Sequence, residues 1–132
     1  MKPMKTTVKA PSPSSRLREI DIQRQCSDYL ALDGWRMLRT DPCSDRRRGK
    51  GFGEVGMADC LYIRYEPELQ ARVLWIEWKR PGCHPTPQQQ QWHLAERARG
   101  ALTWIAGVDF PADYDSFLLY YRQSGLLRRK GL

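Results

Sequence analysis

Three residues in the middle of the chain have types and spacing suited to metal-assisted chemistry: Asp59, Glu77 and Lys79. In the run RVLWIEWK, residues 72–79, a period-two strand sends Val73, Trp75, Glu77 and Lys79 to one face and Leu74, Ile76 and Trp78 to the other. Glu77 and Lys79 therefore project together at the end of an otherwise hydrophobic strand. A carboxylate and an ammonium there are costly to bury without partners, so their position calls for a reason. Asp59 follows Gly56-Met57-Ala58, early in the neighbouring strand. From there it can converge with Glu77 on a hard divalent cation, which prefers carboxylate and backbone oxygens. Lys79 can then orient, or help deprotonate, a water attacking beside that metal. The plain alternative is a surface ion pair between Glu77 and Lys79, with Asp59 a solvated loop residue, and for an isolated E-x-K tripeptide it would be preferred. The order along the chain shifts the balance: an acidic helix, then glycine and Asp59, then a strand ending Glu77-Trp78-Lys79, then a glutamine-bearing helix.

Periodicity and punctuation give the elements that must position these residues. Over residues 15–32 Ile22, Cys26, Tyr29 and Leu30 recur at helical spacing, with Ser15 as N-cap and Gly34 just past the end. Glu19 and Gln23 lie beside that stripe. Residues 35–39 read as a short strand, and residues 40–56 as a loop. Residues 57–65 and 72–79 are the two clearest strands, joined as a hairpin through Glu66-Pro67-Glu68-Leu69. After a break at residues 81–87, residues 88–99 form a helix ended by Gly100, residues 101–108 a buried strand, and residues 114–124 an amphipathic helix ended by Gly125. The order α-β-β-β-α-β-α, with no internal repeat, predicts an α/β fold.

With 132 residues the chain has room for one hydrophobic core and not for two ordinary domains. Its expected limits are residues 15–127, between a flexible basic tail at residues 1–14 and a basic C-terminal tail at residues 128–132. The charge of +7, from 22 Lys and Arg against 15 Asp and Glu, favours a polyanionic partner, nucleic acid ahead of an anionic membrane. No apolar run approaches the roughly 18–20 residues needed to cross a bilayer, and the basic N-terminus lacks the apolar centre of a signal peptide. A soluble, cytoplasmic protein is the expectation. Cys26, Cys43, Cys60 and Cys83 have no C-x-x-C pair and no histidine to complete a zinc motif, and read as small hydrophobes or loop residues.

Arg46, Arg47, Arg48 and Lys50, set among glycines just before Asp59, suit a phosphate-contacting arm better than a solvated charge run. Arg80, Arg128, Arg129 and Lys130 would extend that track. His84 and His93 are single histidines of no assigned role, and Trp75, Trp78, Trp92 and Trp104 are expected to pack in the core.

Four segments together resemble the VRR-NUC group of the PD-(D/E)XK nuclease superfamily: Glu19-Ile20-Asp21-Ile22-Gln23, Gly56-Met57-Ala58-Asp59, Trp75-Ile76-Glu77-Trp78-Lys79-Arg80-Pro81-Gly82 and Thr86-Pro87-Gln88-Gln89-Gln90-Gln91-Trp92. Ala58 stands where the superfamily's name has proline. The resemblance spans about residues 16–108 and implies a restriction-endonuclease-like fold, a central mixed sheet flanked by helices. It implies that Asp59, Glu77 and the backbone carbonyl of Trp78 ligate Mg²⁺ or Mn²⁺, that Lys79 acts in catalysis, and that Glu19 and Gln89 support the site. Gln88 is the alternative register; Gln89 leaves Trp92 at the expected aromatic position. DNA is the implied substrate, branched or flapped forms preferred, with a homodimer as one way to cut two strands of a junction.

Overall fold

A computed structural model of the chain describes residues 18–40 and 53–132. Its elements are α1 (Glu19–Leu32), β1 (Trp35–Arg39), β2 (Cys60–Glu66), β3 (Gln70–Glu77), α2 (Pro87–Ala98), β4 (Leu102–Ile105) and α3 (Tyr114–Gln123). The strands form one mixed sheet in the order β1-β2-β3-β4, antiparallel at the first two junctions and parallel at the third. The architecture is α/β, four strands flanked by three helices.

The alternation in β2 and β3 sorts the layers. Tyr62, Leu74 and Ile76 are fully buried on one face, with Ile22, Cys26 and Leu30 of α1 and Phe117 and Tyr121 of α3 in the same core. On the opposite face Trp75 meets Trp92 of α2 edge-on at 5.1 Å, and Thr103 of β4 meets His93. Trp78 and Trp104 are buried as expected, both against Phe117. Cys26 and Cys60 are buried, and Cys83, like them, is free; Cys43 lies outside the described residues. No helix among the described residues is long and apolar enough to cross a membrane.

Several boundaries differ from those the sequence suggested. Helix α1 begins at Glu19 with Arg18 at its N-cap, and the expected cap Ser15 lies outside the described residues. Strand β2 starts at Cys60, not residue 57, because the chain turns just before it: the Met57 N–H donates to the Glu54 carbonyl and Gly56 takes φ +80°. Strand β3 stops at Glu77, so Lys79 stands beyond the strand end. The last inter-strand bond there runs from the Ala106 N–H to the Glu77 carbonyl at 2.9 Å. Strand β4 is short because Val108 and Asp109 N–H groups fold back onto the Ile105 carbonyl.

The C-terminal arginines pack back on the end of α1, where a loose basic tail was expected at residues 128–132. Asp33, buried at the end of α1, accepts from the backbone N–H groups of Arg128 and Arg129 at 3.1 and 2.6 Å, from Arg64 Nη1 at 3.0 Å, and from the Tyr121 hydroxyl. Arg128 also donates to Glu66 at 2.6 Å, and Arg129 to the Leu32 carbonyl at 3.2 Å. Two of the three C-terminal cations expected to extend a phosphate track, Arg128 and Arg129, are therefore engaged within the protein.

Candidate active site

The antiparallel register that pairs Cys60 with Ile76 carries the chain one step further, to Asp59 opposite Glu77. Two residues 18 positions apart in sequence meet there. The Asp59 N–H donates to Glu77 Oε2 at 3.1 Å. Glu77 is only 1% exposed, and its other oxygen accepts from Gln89 Nε2 at 2.8 Å and lies 3.3 Å from Lys79 Nζ. One buried carboxylate is thus held by a backbone amide, a side-chain amide and an ammonium, so part of the cost of its burial is offset by charge-assisted hydrogen bonds.

Residues on both sides fix the approach of Asp59. The Thr40 N–H donates to the Asp59 carbonyl at 3.0 Å, and its hydroxyl to the Ala58 carbonyl at 2.6 Å. On the other side Gly56 packs onto the start of α2: a Cβ there would fall 2.3 Å from the Gln88 carbonyl oxygen, at a φ that side chains rarely adopt.

Helix α2 settles which glutamine reaches the site. Thr86 caps it, accepting from the Gln89 N–H at 3.2 Å, while Gln89 Oε1 accepts from the Thr86 N–H at 2.9 Å. This capping box uses the oxygen of the Gln89 amide and leaves its nitrogen to donate to Glu77. Gln88 and Gln91 are exposed, and Gln90 donates to the Pro85 carbonyl.

Burial first, and the Asp59 carboxylate second, push the Glu77 carboxyl above the usual range, against the opposing pull of Lys79. Glu19, half-buried at the start of α1, is raised for the same two reasons in the same order, and Lys79, Arg80 and Arg39 oppose the shift. Glu19 therefore shares the field of Asp59 and Lys79. Arg80 is exposed and donates to Cys83 Sγ at 3.1 Å. Arg46, Arg47, Arg48 and Lys50 lie outside the described residues. Trp78 puts its indole into the core, donating to the Tyr62 hydroxyl at 3.0 Å.

Sequence reasoning left two neighbours of the site without a role. Glu54 accepts from Trp92 Nε1 at 2.7 Å, and His93, 1% exposed, hydrogen-bonds Thr103 through Nδ1. A buried indole N–H requires an acceptor, which is the one signal that pointed toward the first of these pairs. Among the described residues no group of three or more His, Cys, Asp or Glu side chains is disposed to hold a metal ion.

Comparison of the chain with protein-family models, curated proteins and solved structures gave no match.

Proposed function

We propose that the protein is a Mg²⁺- or Mn²⁺-dependent DNA endonuclease of the PD-(D/E)XK type, similar to the VRR-NUC group, its mixed sheet arranged as in restriction endonucleases. The observation that carries this reading is the buried Glu77 carboxylate gathered with Asp59, Lys79 and Gln89. Two acids in each other's field, one of them buried, form an all-oxygen donor set that suits a hard divalent cation, with carbonyl and water oxygens completing its shell. Asp59, Glu77 and the Trp78 carbonyl would hold it. When bound, the cation supplies Lewis-acid stabilisation of the scissile phosphate and a more acidic water.

The remaining work falls to the chain. Lys79 holds the attacking water and faces the charge that develops on the phosphate. Gln89 fixes the rotamer of Glu77, and Glu19 adds a carboxylate to the polar rim. Arg80 and the arm Arg46, Arg47, Arg48 and Lys50 bind the DNA backbone without reading sequence. Selectivity for flaps or four-way junctions, action as a homodimer and a cytoplasmic setting extend the same proposal.

The test pairs metal binding with cleavage. Calorimetric titration with Mn²⁺ should show binding by the parent and none by Asp59→Ala or Glu77→Ala, both still folded. Linear, flap and four-way DNA should be cut with Mg²⁺ or Mn²⁺ and left intact with EDTA. Equal Mn²⁺ affinity in parent and variants overturns the assignment. A second reading, a non-catalytic nucleic-acid-binding module of the same fold, draws on the lack of a three-ligand cluster among the described residues. It predicts DNA binding indifferent to EDTA, and no cleavage.

A further inference from the structure

Helix α2 touches both halves of the site. Through Gln89 it reaches Glu77 on β3. Three residues further along, Trp92 reaches the segment that delivers Asp59: its indole N–H donates to Glu54 Oε2 at 2.7 Å. The ring of Trp92 is 7% exposed and set edge-on against Trp75, two residues before Glu77 on the same strand, at 5.1 Å between centroids. An indole has one donor and no acceptor, so this buried N–H has a single use, and the structure spends it on a carboxylate from an otherwise exposed stretch.

From Glu54 the chain has little freedom before Asp59. The Glu54 carbonyl accepts from the Met57 N–H at 3.2 Å, Gly56 lies against the backbone of Gln88 and Gln89, and Thr40 binds the Ala58 and Asp59 carbonyls from the other side. The Glu54 carboxylate ties this turn to α2 through a side chain.

We propose that Glu54 and Trp92 form a clamp that sets the position of Asp59 relative to Glu77. Neither residue touches the reacting atoms; both are positioning residues that act through the 54–59 turn. The clamp's effect on cleavage rests on the nuclease reading, whereas its effect on geometry does not.

The variants are Trp92→Phe, which keeps an aromatic ring against Trp75 and removes the N–H, Glu54→Ala, and Glu54→Gln, which retains an acceptor oxygen. Because Glu54 is exposed, its variants should remain folded, as thermal unfolding followed by circular dichroism would verify. Three readouts are compared with the parent: hydrogen exchange of the Asp59 amide, Mn²⁺ affinity by calorimetry, and kcat and KM on a cleaved DNA. Groups that orient metal ligands from outside typically alter metal affinity or activity by about 10–100-fold. Trp92→Phe and Glu54→Ala should therefore speed Asp59 exchange and lower Mn²⁺ affinity and kcat by about tenfold or more, with KM for DNA unchanged. Glu54→Gln should restore most of each.

Parent-like Asp59 exchange in both Trp92→Phe and Glu54→Ala overturns the clamp. So does a loss of kcat that Glu54→Gln fails to rescue. If the parent neither binds Mn²⁺ nor cleaves DNA, the nuclease reading falls by itself, and Asp59 exchange alone decides the clamp.

Discussion

Replacing Gly56 by alanine is expected to damage the site through backbone geometry alone. Gly56 sits at φ +80°, and a Cβ built there falls 2.3 Å from the Gln88 oxygen, 2.5 Å from its carbonyl carbon and 2.9 Å from the Gln89 nitrogen. All three are backbone atoms at the start of a capped helix, so no side chain can swing aside. The left-handed conformation costs a non-glycine residue about 1–2 kcal/mol. Overpacking a tight contact adds about 1–3 kcal/mol, for a total of about 2–5 kcal/mol. Against a domain stability of roughly 5–15 kcal/mol this is a large fraction. Gly82→Ala is the internal control: its φ is +83° but nothing lies within 4 Å, so only the conformational cost applies. Urea unfolding of parent and both variants, with hydrogen exchange at Asp59, separates the two terms. Gly56→Ala should lose clearly more stability than Gly82→Ala, or else lift the turn from α2 and speed Asp59 exchange. If it matches Gly82→Ala to within about 0.5 kcal/mol and Asp59 exchanges as in the parent, the close packing of this turn on α2 is refuted.

Lys79→Ala should lower single-turnover cleavage by about 10² or more while DNA affinity measured in Ca²⁺ falls far less; equal cleavage rates would leave Lys79 as an ion-pair partner of Glu77 only. Changing Arg46, Arg47 and Arg48 together to alanine should weaken DNA binding on all sequences and flatten its salt dependence by roughly 2–3 units of log–log slope, whereas a slope equal to the parent's would make the loop a solvated charge run. Burial, followed by Arg97 and Lys79, pushes the His93 imidazole down from 6.5 to about 4. Its folded value is the depressed one, so its contribution to stability is full above 6.5 and is lost as pH falls toward 4, while the unfolded chain takes up a proton that the folded one refuses. The loss is on the order of 3 kcal/mol. Urea midpoints at pH 7 and pH 4.5 for parent and His93→Gln would measure it, and an identical pH dependence would refute it.

The sequence by itself determined the elements and the facing of β3, because alternation along a strand is a local property. Glu77 and Lys79 could be placed together, and Trp78 on the opposite side, from period two alone. The helix expected over residues 88–99 is likewise present, one residue earlier at each end, as Pro87–Ala98 capped by Thr86. Tertiary structure decided where strands end and which charges meet. Strand β3 ends at Glu77 where the last bond to the β4 side is made, so Lys79 stands beyond the strand. Asp59 faces Glu77 through inter-strand register, and Gln89, preferred in the sequence over Gln88 for the place it leaves Trp92, reaches Glu77 because its amide closes the capping box with its oxygen and keeps its nitrogen for the carboxylate. The C-terminal arginines gave the plainest difference. In sequence Arg128 and Arg129 read as free positive charge; in the fold their backbone amides, with Arg64 and Tyr121, converge on the buried Asp33. A cation's type is written in the sequence, but its partner is set by the fold: the Arg128 guanidinium meets Glu66 and that of Arg129 the Leu32 carbonyl, 62 and 97 residues away, while the buried Asp33 carboxylate takes whichever donors the fold brings to it.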